Sequence, residues 1–461
     1  MLLGCVHRGR GLLGKGVALV VRSPGLSRSE ASVISALYVA GSATRAELAE
    51  QVGLSSAMTA KVVARLKRAD LIREAGHGAV TGPGRQALLL EVHPHAAHVL
   101  GIDIGTDVVH LLVADLHGAP VVYREVASTL FEGRTQPEII ALLADLAHQV
   151  VREADLAREQ VAAVGVAITG IVDSDRGMCV MRSNTPGWAY FPIASALSTA
   201  LHVPVVLEEA ARAKSLAERR VGAAGPDACP GGSFLYVDAG PAVGASLVVN
   251  GVPFRGVGGL AGELGHVTVD AGGVLCRCGN RGCLQATASA RAVLAHAADL
   301  LRKGVYSSLS GREAKLTLAE LAAAAEAGDK LALGVLTEAG EHLGTAIAMA
   351  LNLLGLDLVV MGGTLVRCGS VVMESAQRVV RLRVLPVVAQ PRVLLRGRLG
   401  SDAAALGVVL QAIDWLFAAP SERIVRRAAG LDDIPSIRRA GLTSLFPIGR
   451  YSARQVLGEQ A

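Results

Sequence analysis

Three stretches near the start of the chain have the apolar spacing of amphipathic helices. In residues 29–40 apolar side chains recur on one face behind an opening serine, which predicts a first helix. A second helix is predicted from Thr44, because Thr44 and Glu47 have the Thr-x-x-Glu spacing of a capping box, and Gly53 is expected to end it. A third helix is predicted over residues 55–69.

The third predicted helix has an apolar face and a face of small and cationic side chains. Its inward positions are Met58, Thr59, Val62, Val63 and Leu66. Small residues at the front of the outward face would let the helix lie deep in a DNA major groove, while cations behind them reach phosphates. The candidate DNA-binding residues of this helix are Ser55, Ser56, Ala57, Ala60, Lys61, Arg65 and Arg68, with Lys67 as a further phosphate contact.

A hairpin is predicted after the third helix. Two strands, over residues 71–74 and 86–92, flank a Gly-rich tip over residues 76–84. Helices followed by such a hairpin resemble the winged helix-turn-helix of MarR-like repressors, and Arg85 at the base of the wing is placed to enter a minor groove. The alternative is a small helical packing module whose cations are only solvated.

From Val99 onward apolar strands alternate with helical stretches. Residues 100–118 predict two antiparallel strands joined by a tight turn, and residues 356–361 predict a further apolar strand. At 461 residues, 51% hydrophobic but 3% aromatic, the chain has material for a small module and a larger, internally divided α/β domain. A disordered or fibrous protein is excluded by that composition.

Charge is uneven along the chain. Residues 1–92 hold 12 lysines and arginines against 6 acidic residues, whereas the remainder holds 33 against 34. The basic excess therefore lies in the N-terminal fifth, as expected if that part meets phosphate backbones. The apolar run at residues 16–21 is too short to span a bilayer, so we expect a cytoplasmic protein with no membrane partner.

The cysteines indicate a metal site rather than disulfides. There are seven, an odd number, and three lie within eight residues. His266 precedes Cys276, Cys278 and Cys283, and one imidazole with three thiolates satisfies tetrahedral zinc. With all four positions filled by protein, no water is left to be activated, so we expect structural Zn²⁺. Thiols that are merely buried or redox-active are the alternative.

Residues 263–285 resemble the signature of the ROK family of sugar kinases and repressors, in which Gly-His is followed ten residues later by Cys-x-Cys-Gly-x-x-Gly-Cys. The resemblance covers residues 97–412. It implies an α/β fold with an N-terminal winged helix-turn-helix at residues 28–92 and a two-lobed, actin-like ATPase (ribonuclease H-like) ROK domain at residues 97–415. Outside the resemblance, residues 1–27 are expected to be a disordered arm or an overlong start, and residues 416–461 a C-terminal tail.

The resemblance also implies a sugar site. Residues 165–173 and 183–188 resemble the loops that meet the sugar in this family, Gly362 and Gly363 resemble the adenosine-side glycine pair, and residues 401–412 resemble the closing helix. The ligand-binding residues carried over in this way are Glu263, His266, Asn184 and Gly170.

Several positions depart from the pattern of a working kinase. Over residues 203–218, alignment on the shared Leu-Ala-Glu places Glu209 where the family has Asn and Ala210 where it has the Asp that serves as general base. Residues 103–107 lack the paired glycines of kinases, and Pro241 and Ala242 stand where kinases favour Thr and Gly. Gln285 replaces a Glu. We therefore predict no catalytic residues, no enzyme activity and no ATP binding.

The expected function is that of a DNA-binding transcriptional regulator, and specifically a repressor, whose catalytically degenerate ROK domain senses a sugar-like ligand and mediates dimerisation. The implied partners are double-stranded DNA at a palindromic operator, a sugar-like small molecule, and a second copy of the chain as a homodimer or dimer of dimers. Two alternatives remain open: an active or bifunctional sugar kinase that uses ATP, and a ligand-independent DNA-binding scaffold.

Overall fold

The structure is a computed structural model that describes residues 26–77, 87–182, 188–385 and 393–417. Two predicted site residues, Arg85 and Asn184, lie outside these ranges, as do most of the wing tip, the predicted arm up to residue 25 and the chain after Phe417.

The head of the molecule is a three-helix unit with a small antiparallel sheet of order β1-β3-β2. Ser27 and Glu30 form a capping box at its first helix, and Thr44 and Glu47 form the predicted one at the second. The first helix begins at Arg28 because Ser27, one turn before Glu30, is the cap. The elements of the head are α1 (Arg28–Ala40), β1 (Ser42–Thr44), α2 (Arg45–Val52), α3 (Ser56–Arg68), β2 (Ile72–His77) and β3 (Leu88–Val92).

One predicted inward position of the third helix is wrong. Thr59, Val62, Val63 and Leu66 are buried in α3, as predicted, but Met58 is 42% exposed. Met58 lies one turn before Val62 in the first turn of the helix and is covered less than the inward residues that follow it. The apolar stripe of α3 therefore begins at Thr59.

The first lobe is built on a five-stranded sheet of order β10-β7-β4-β5-β6. The predicted antiparallel pair is confirmed, since Gly101 on one strand faces Leu112 on the next. β7 runs parallel to β4, and β10 runs parallel to β7. The elements of this lobe are β4 (His98–Ile104), β5 (Val108–Asp115), β6 (Pro120–Ala127), α4 (Gln136–Glu153), β7 (Val161–Ile168), β8 (Ile171–Asp173), β9 (Met178–Met181), α5 (Ile193–Leu201) and β10 (Val205–Glu209).

The second lobe carries its own five-stranded sheet, of order β13-β12-β11-β14-β15. Its apolar core packs beneath a long helix, α10, which ends at Gly355 in a left-handed conformation. The elements are β11 (Phe234–Ala239), β12 (Val243–Val249), β13 (Val252–Pro253), α7 (Leu284–Ala288), α8 (Ala290–Arg302), α9 (Leu318–Glu326), α10 (Lys330–Leu354), β14 (Leu358–Gly362), α11 (Val371–Arg383) and β15 (Val393–Arg396).

Two helices join the lobes to each other and to the head. α6 (Ala210–Val221) leaves the carboxyl end of β10 and packs on α12 (Ala403–Phe417) and on the second-lobe strands β11 and β12. A side chain at Gly407 would come within 1.9 Å of the Ala213 carbonyl oxygen, so α6 and α12 cross at backbone contact. α12 extends to Phe417, so the predicted boundary after residue 415 falls inside a helix.

The head shares one apolar core with the first lobe. Val33, Leu37 and Leu90 of the head belong to the same buried cluster as Leu406 and Ile413 of α12. The head is therefore packed on the first lobe rather than only linked to it by the chain. Among the described residues, no helix combines the length and the apolar character required to cross a membrane.

Candidate functional site

The four predicted metal ligands come together in one loop of the second lobe. One ligand atom from each of His266, Cys276, Cys278 and Cys283 lies within 4.8 Å of the others. His266 Nδ1 is 3.8 Å from Cys276 Sγ, and Cys278 Sγ is 3.6 Å from Cys283 Sγ. Such a His/Cys₃ set, with spacings near those of a tetrahedral site, could hold a metal ion.

Tight turns bring the three sulfurs together. A side chain at Gly282 would lie 1.5 Å from the Asp270 carbonyl oxygen, and Gly282 adopts φ 65°, so only glycine fits there. Thr268 pairs with Cys283, and Leu275 pairs with Arg281, which closes a small hairpin around the thiols. The backbone thus holds the three thiols close together.

His266 joins the thiol cluster to the predicted ligand site. Its Nε2 is 3.9 Å from Glu263 Oε2, while its Nδ1 faces Cys276. Burial raises the pKa of Glu263 above its ordinary value. Gly170, also predicted to bind ligand, has φ 126° in the turn between β7 and β8, where a side chain would meet the Met181 carbonyl oxygen at 2.5 Å.

A buried ionic network lies between the two lobes, and sequence reasoning missed it. Arg212 Nε donates to Glu208 Oε1 at 2.6 Å, and Arg255 Nη2 donates to Glu208 Oε2 at 2.7 Å. Burial alone would raise the pKa of Glu208, but the two guanidinium groups outweigh it and hold that pKa at about 2. Arg212 also donates to the carbonyls of Val172 in the first lobe and Gly259 in the second, so it ties the lobes together.

The predicted kinase-base region forms a helix cap. Ala210 is buried as the first residue of α6. Glu209 caps this helix, because its two carboxylate oxygens accept hydrogen bonds from the backbone N–H groups of Ala211 and Arg212, each at 2.9 Å. Burial raises the pKa of Glu209 to about 7.

Several polar groups of the two predicted phosphate loops have partners within the protein. Gly240 N–H donates to the Ala242 carbonyl at 3.0 Å, and Pro241 between them has no N–H. In the other loop, Arg182 donates to the Gly105 carbonyl at 2.9 Å, and Asp107 pairs with Arg291 of the second lobe at 2.7 Å.

The outward face of α3 is exposed as predicted. Ser55, Ser56, Ala57, Ala60, Lys61, Arg65 and Arg68 are all exposed. Arg65 pairs with the buried Glu30 of α1 at 2.9 Å, and Lys67 pairs with Glu74 of the wing. Among the described residues, no carboxylate forms an ion pair with Lys61 or Arg68, so these two cations remain available to an outside anion.

A second cluster missed by sequence reasoning joins the head to the body. Tyr38 of α1 donates to Asp414 Oδ1 at 2.6 Å, and Arg220 of α6 donates to both oxygens of that carboxylate. The Tyr38 ring stacks on Phe417 with centroids 4.8 Å apart. The sequence indicated only that Tyr38 lies on the apolar face of the first helix. It could not indicate the contact partners of Tyr38, because they lie far along the chain.

The order of these elements agrees with a comparison against known families. The profile described as ROK family matches residues 99–414, more than half of the chain. The chain belongs to the ROK family. A second profile, winged helix-turn-helix DNA-binding, matches residues 26–73. The predicted family, the two-lobed fold and the N-terminal DNA-binding module are thereby confirmed.

Relatives of this ROK protein include both regulators and kinases. The xylose repressor of Bacillus subtilis (strain 168) is 29% identical over 374 residues, covering 80% of this chain and 91% of the repressor. A ROK family transcriptional regulator, described as a homologue of the Escherichia coli MLC protein, shares the fold at a TM-score of 0.72 and 24% identity, covering 87% and 99% of the two chains. A ROK hexokinase from Thermus thermophilus aligns at a TM-score of 0.55 and 30% identity, covering 68% and 97%.

Proposed function

We propose that this ROK protein is a DNA-binding transcriptional repressor. The observation that carries the proposal is the exposed face of α3 on a head packed against the first lobe. Small residues stand there beside Lys61 and Arg68, which have no carboxylate partner among the described residues. The match to repressors over most of both chains supports the same function. Sequence-selective binding of duplex DNA by the full-length chain tests it.

The residues on the exposed face of α3 are proposed to have different roles in DNA binding. Ser56, Ala57 and Ala60 at the front of α3 leave room for close approach to base edges. Lys61 and Arg68 supply phosphate contacts, whereas Arg65 is held in part by Glu30 and contributes orientation. Arg85, which is predicted at the base of the wing and lies outside the described residues, is proposed as a minor-groove contact on sequence grounds alone.

We further propose that the ROK domain does not phosphorylate sugars. Ala210 cannot accept a proton, and Glu209 uses both carboxylate oxygens to cap α6, so neither residue of the described β10–α6 junction offers a free base. Phosphoryl transfer depends on donors aimed at phosphate oxygens. Pro241 has no N–H group to donate, and the N–H group of Gly240 already donates to the Ala242 carbonyl.

An ADP-coupled assay across hexoses and amino sugars tests this negative proposal. Zinc-replete wild-type protein is expected to turn over no faster than buffer. The competing function, an active or bifunctional ROK kinase, is supported by the matched hexokinase. Turnover that disappears in a Glu209→Ala variant would establish it.

We propose that His266, Cys276, Cys278 and Cys283 hold zinc. The donor set suits that metal, and four protein ligands close the site, so zinc acts here as a structural ion. When bound, it fixes the loop that carries Glu263. His266 links the zinc loop to the ligand site, because its Nε2 faces Glu263.

The ligand is proposed to be sugar-like and to contact Glu263 and His266, with Gly170 and Asn184 contributing from the first lobe. It can regulate DNA binding only if it binds one arrangement of the lobes better than the other. The competing function is a ligand-independent scaffold, which the closed Glu208–Arg212–Arg255 network favours. Titration calorimetry with sugars separates them, since a scaffold gives no saturable heat.

We also propose a symmetric dimer acting on a palindromic operator in the cytoplasm. The head shares a core with the first lobe and therefore moves with it. Closure of the cleft in each copy would then change the spacing of the two heads on DNA. Analytical ultracentrifugation, which is expected to give a dimer, tests this assembly.

A further inference from the structure

A lysine lies at the floor of the cleft between the lobes, where the site described above gives it no role. Lys214 of α6 places its Nζ 2.7 Å from Oδ2 of Asp238, the penultimate residue of β11. The two side chains are only 19% and 15% exposed. Asp238 lies just before the Gly240–Pro241–Ala242 turn, so the ion pair stands beside the second predicted phosphate loop.

A carboxylate from the other lobe completes the cluster. Asp103 of β4 is 4% exposed, and its Oδ1 is buried with no hydrogen-bond partner among the described residues. Oδ1 of Asp238 is likewise buried and unpartnered. Burial raises the pKa of Asp103, and the charges of Lys214 and Asp238 also act on it, so the three groups lie within electrostatic range of one another.

The packing of α6 explains why the lysine reaches this point. Ser215, the next residue along α6, contacts Ser246 of β12, with the two hydroxyl oxygens 2.9 Å apart. On the opposite side, Ala213 touches the backbone of α12 at Gly407. α6 is therefore wedged between the lobes, and Lys214 projects from it toward the ends of β4 and β11.

Buried carboxylates need a cation nearby, because an isolated charge in a protein interior is costly. Two such groups that converge from different strands make a typical site for a divalent cation with oxygen ligands. We propose that Lys214 is the resident cation of this cleft and occupies the site that would otherwise take an external divalent cation. Burial alone would lower the pKa of Lys214, but Asp238 and Asp103 raise it, so the ammonium stays charged.

The charged side chain of Lys214 limits which ligands can bind at the floor of the cleft. With Lys214 engaged by Asp238, an ammonium group already fills the position at which a metal ion would join this cluster to an incoming phosphate. An ammonium group and a divalent cation repel each other strongly in a buried site. The floor therefore has no vacant position for the metal ion of a metal–nucleotide complex. This inference concerns the cleft alone and holds whether or not the chain binds DNA.

Mn²⁺ uptake by the full-length, zinc-loaded protein tests the assignment. Electron paramagnetic resonance at pH 8 reports free Mn²⁺ during a titration. Wild type and Lys214→Arg are expected to bind no Mn²⁺ in the cleft. Lys214→Met, which keeps the stem but removes the charge, is expected to gain a site for about one Mn²⁺ per chain, at least about tenfold tighter than wild type. Adding Asp238→Asn to Lys214→Met should abolish the gain.

Two results would overturn the assignment. The first is a folded, zinc-loaded Lys214→Met protein that takes up no more Mn²⁺ than wild type. The second is a wild-type protein that already binds Mn²⁺ in a manner lost on Asp238→Asn substitution.

Lysine labelling gives a second measurement if Lys214→Met fails to fold. Reductive methylation, read by mass spectrometry, should modify Lys214 at least about tenfold more slowly than the exposed Lys303. The protection should disappear in Asp238→Asn, which keeps the lysine. Equal rates for the two lysines in wild type would contradict the assignment.

Discussion

Arg220 holds both carboxylate oxygens of Asp414, at 2.7 and 2.8 Å, at the point where the head meets the body. Tyr38 of the head donates to the same carboxylate. Burial, and after it the Asp414 charge, raises the pKa of Tyr38, so its hydroxyl remains a donor at physiological pH. Since Arg220 is on α6, one helix runs from the cleft residues Arg212 and Lys214 to the head.

Asp414→Asn should therefore loosen the head on the first lobe. The change weakens a charge-assisted contact that is one-third exposed, so the expected loss is about 1 kcal/mol. Hydrogen exchange of the α1 amides should accelerate by about fivefold. Glu341→Gln is the matched control, because it weakens the exposed Arg378–Glu341 pair far from the head. Equal exchange of α1 in both variants would argue against a specific junction.

Cys278→Ser should release the proposed zinc. Three ligands bind zinc less tightly than four, and Cys278 is the exposed thiol of the cluster. Metal analysis after dialysis should fall from about one zinc per chain to a small fraction of that. Cys368→Ser, outside the cluster, should keep its zinc. A Cys278→Ser protein with stoichiometric zinc would refute the ligand assignment.

Lys61→Ala should weaken operator binding about five- to tenfold and reduce the slope of log K against log salt by about 1. Lys61 has no carboxylate partner among the described residues and stands on the exposed face of α3. Lys67→Ala is the control on the same helix, since Lys67 is engaged by Glu74. Fluorescence anisotropy across salt concentrations measures both. If the slope of log K against log salt is the same for the two variants, Lys61 is not the phosphate contact proposed for the exposed face of α3.

Asp103→Asn should stabilise the protein more at pH 8 than at pH 5. Burial raises the pKa of Asp103 to about 7, so the folded state holds this proton more tightly than the unfolded chain. The stability contributed by the group is full below about pH 4 and is lost as the pH rises through 7. We expect a gain on the order of 1–4 kcal/mol at pH 8, which shrinks toward pH 5.

Urea unfolding at the two pH values measures the difference. Asp227→Asn, on an exposed loop, is the control and should change stability equally at both. A pH-independent effect of Asp103→Asn would show that this carboxyl does not titrate as described.

Local patterns predicted the head and the thiol loop well. The Thr44–Glu47 capping box and the buried positions of α3 follow from residues close in sequence, and so does the clustering of Cys276, Cys278 and Cys283. Met58 was misplaced because helical spacing gives a face but not where the neighbouring element stops covering it. Helix ends depend on such tertiary cover, as at α12, which runs to Phe417.

The ionic contacts of the cleft and junction could not be read from sequence in the same way. Glu208 and Arg212 have helical i, i+4 spacing, which is a signal for pairing, but Arg255 joins them from another lobe. Lys214 and Asp238 meet only because α6 is wedged between two sheets. Contacts between distant segments depend on the topology of the fold, so a local sequence pattern does not show which residue will form the ion pair.

Selection of DNA from a random duplex pool by the full-length, zinc-loaded protein tests the central claim most directly. A repressor of this architecture should enrich an inverted repeat whose half-sites lie about one helical turn, or a multiple of it, apart. A Lys61→Ala/Arg68→Ala variant should lose that enrichment. Recovery of no sequence above the input pool, or equal enrichment by the variant, would contradict the account of this protein as a DNA-binding regulator.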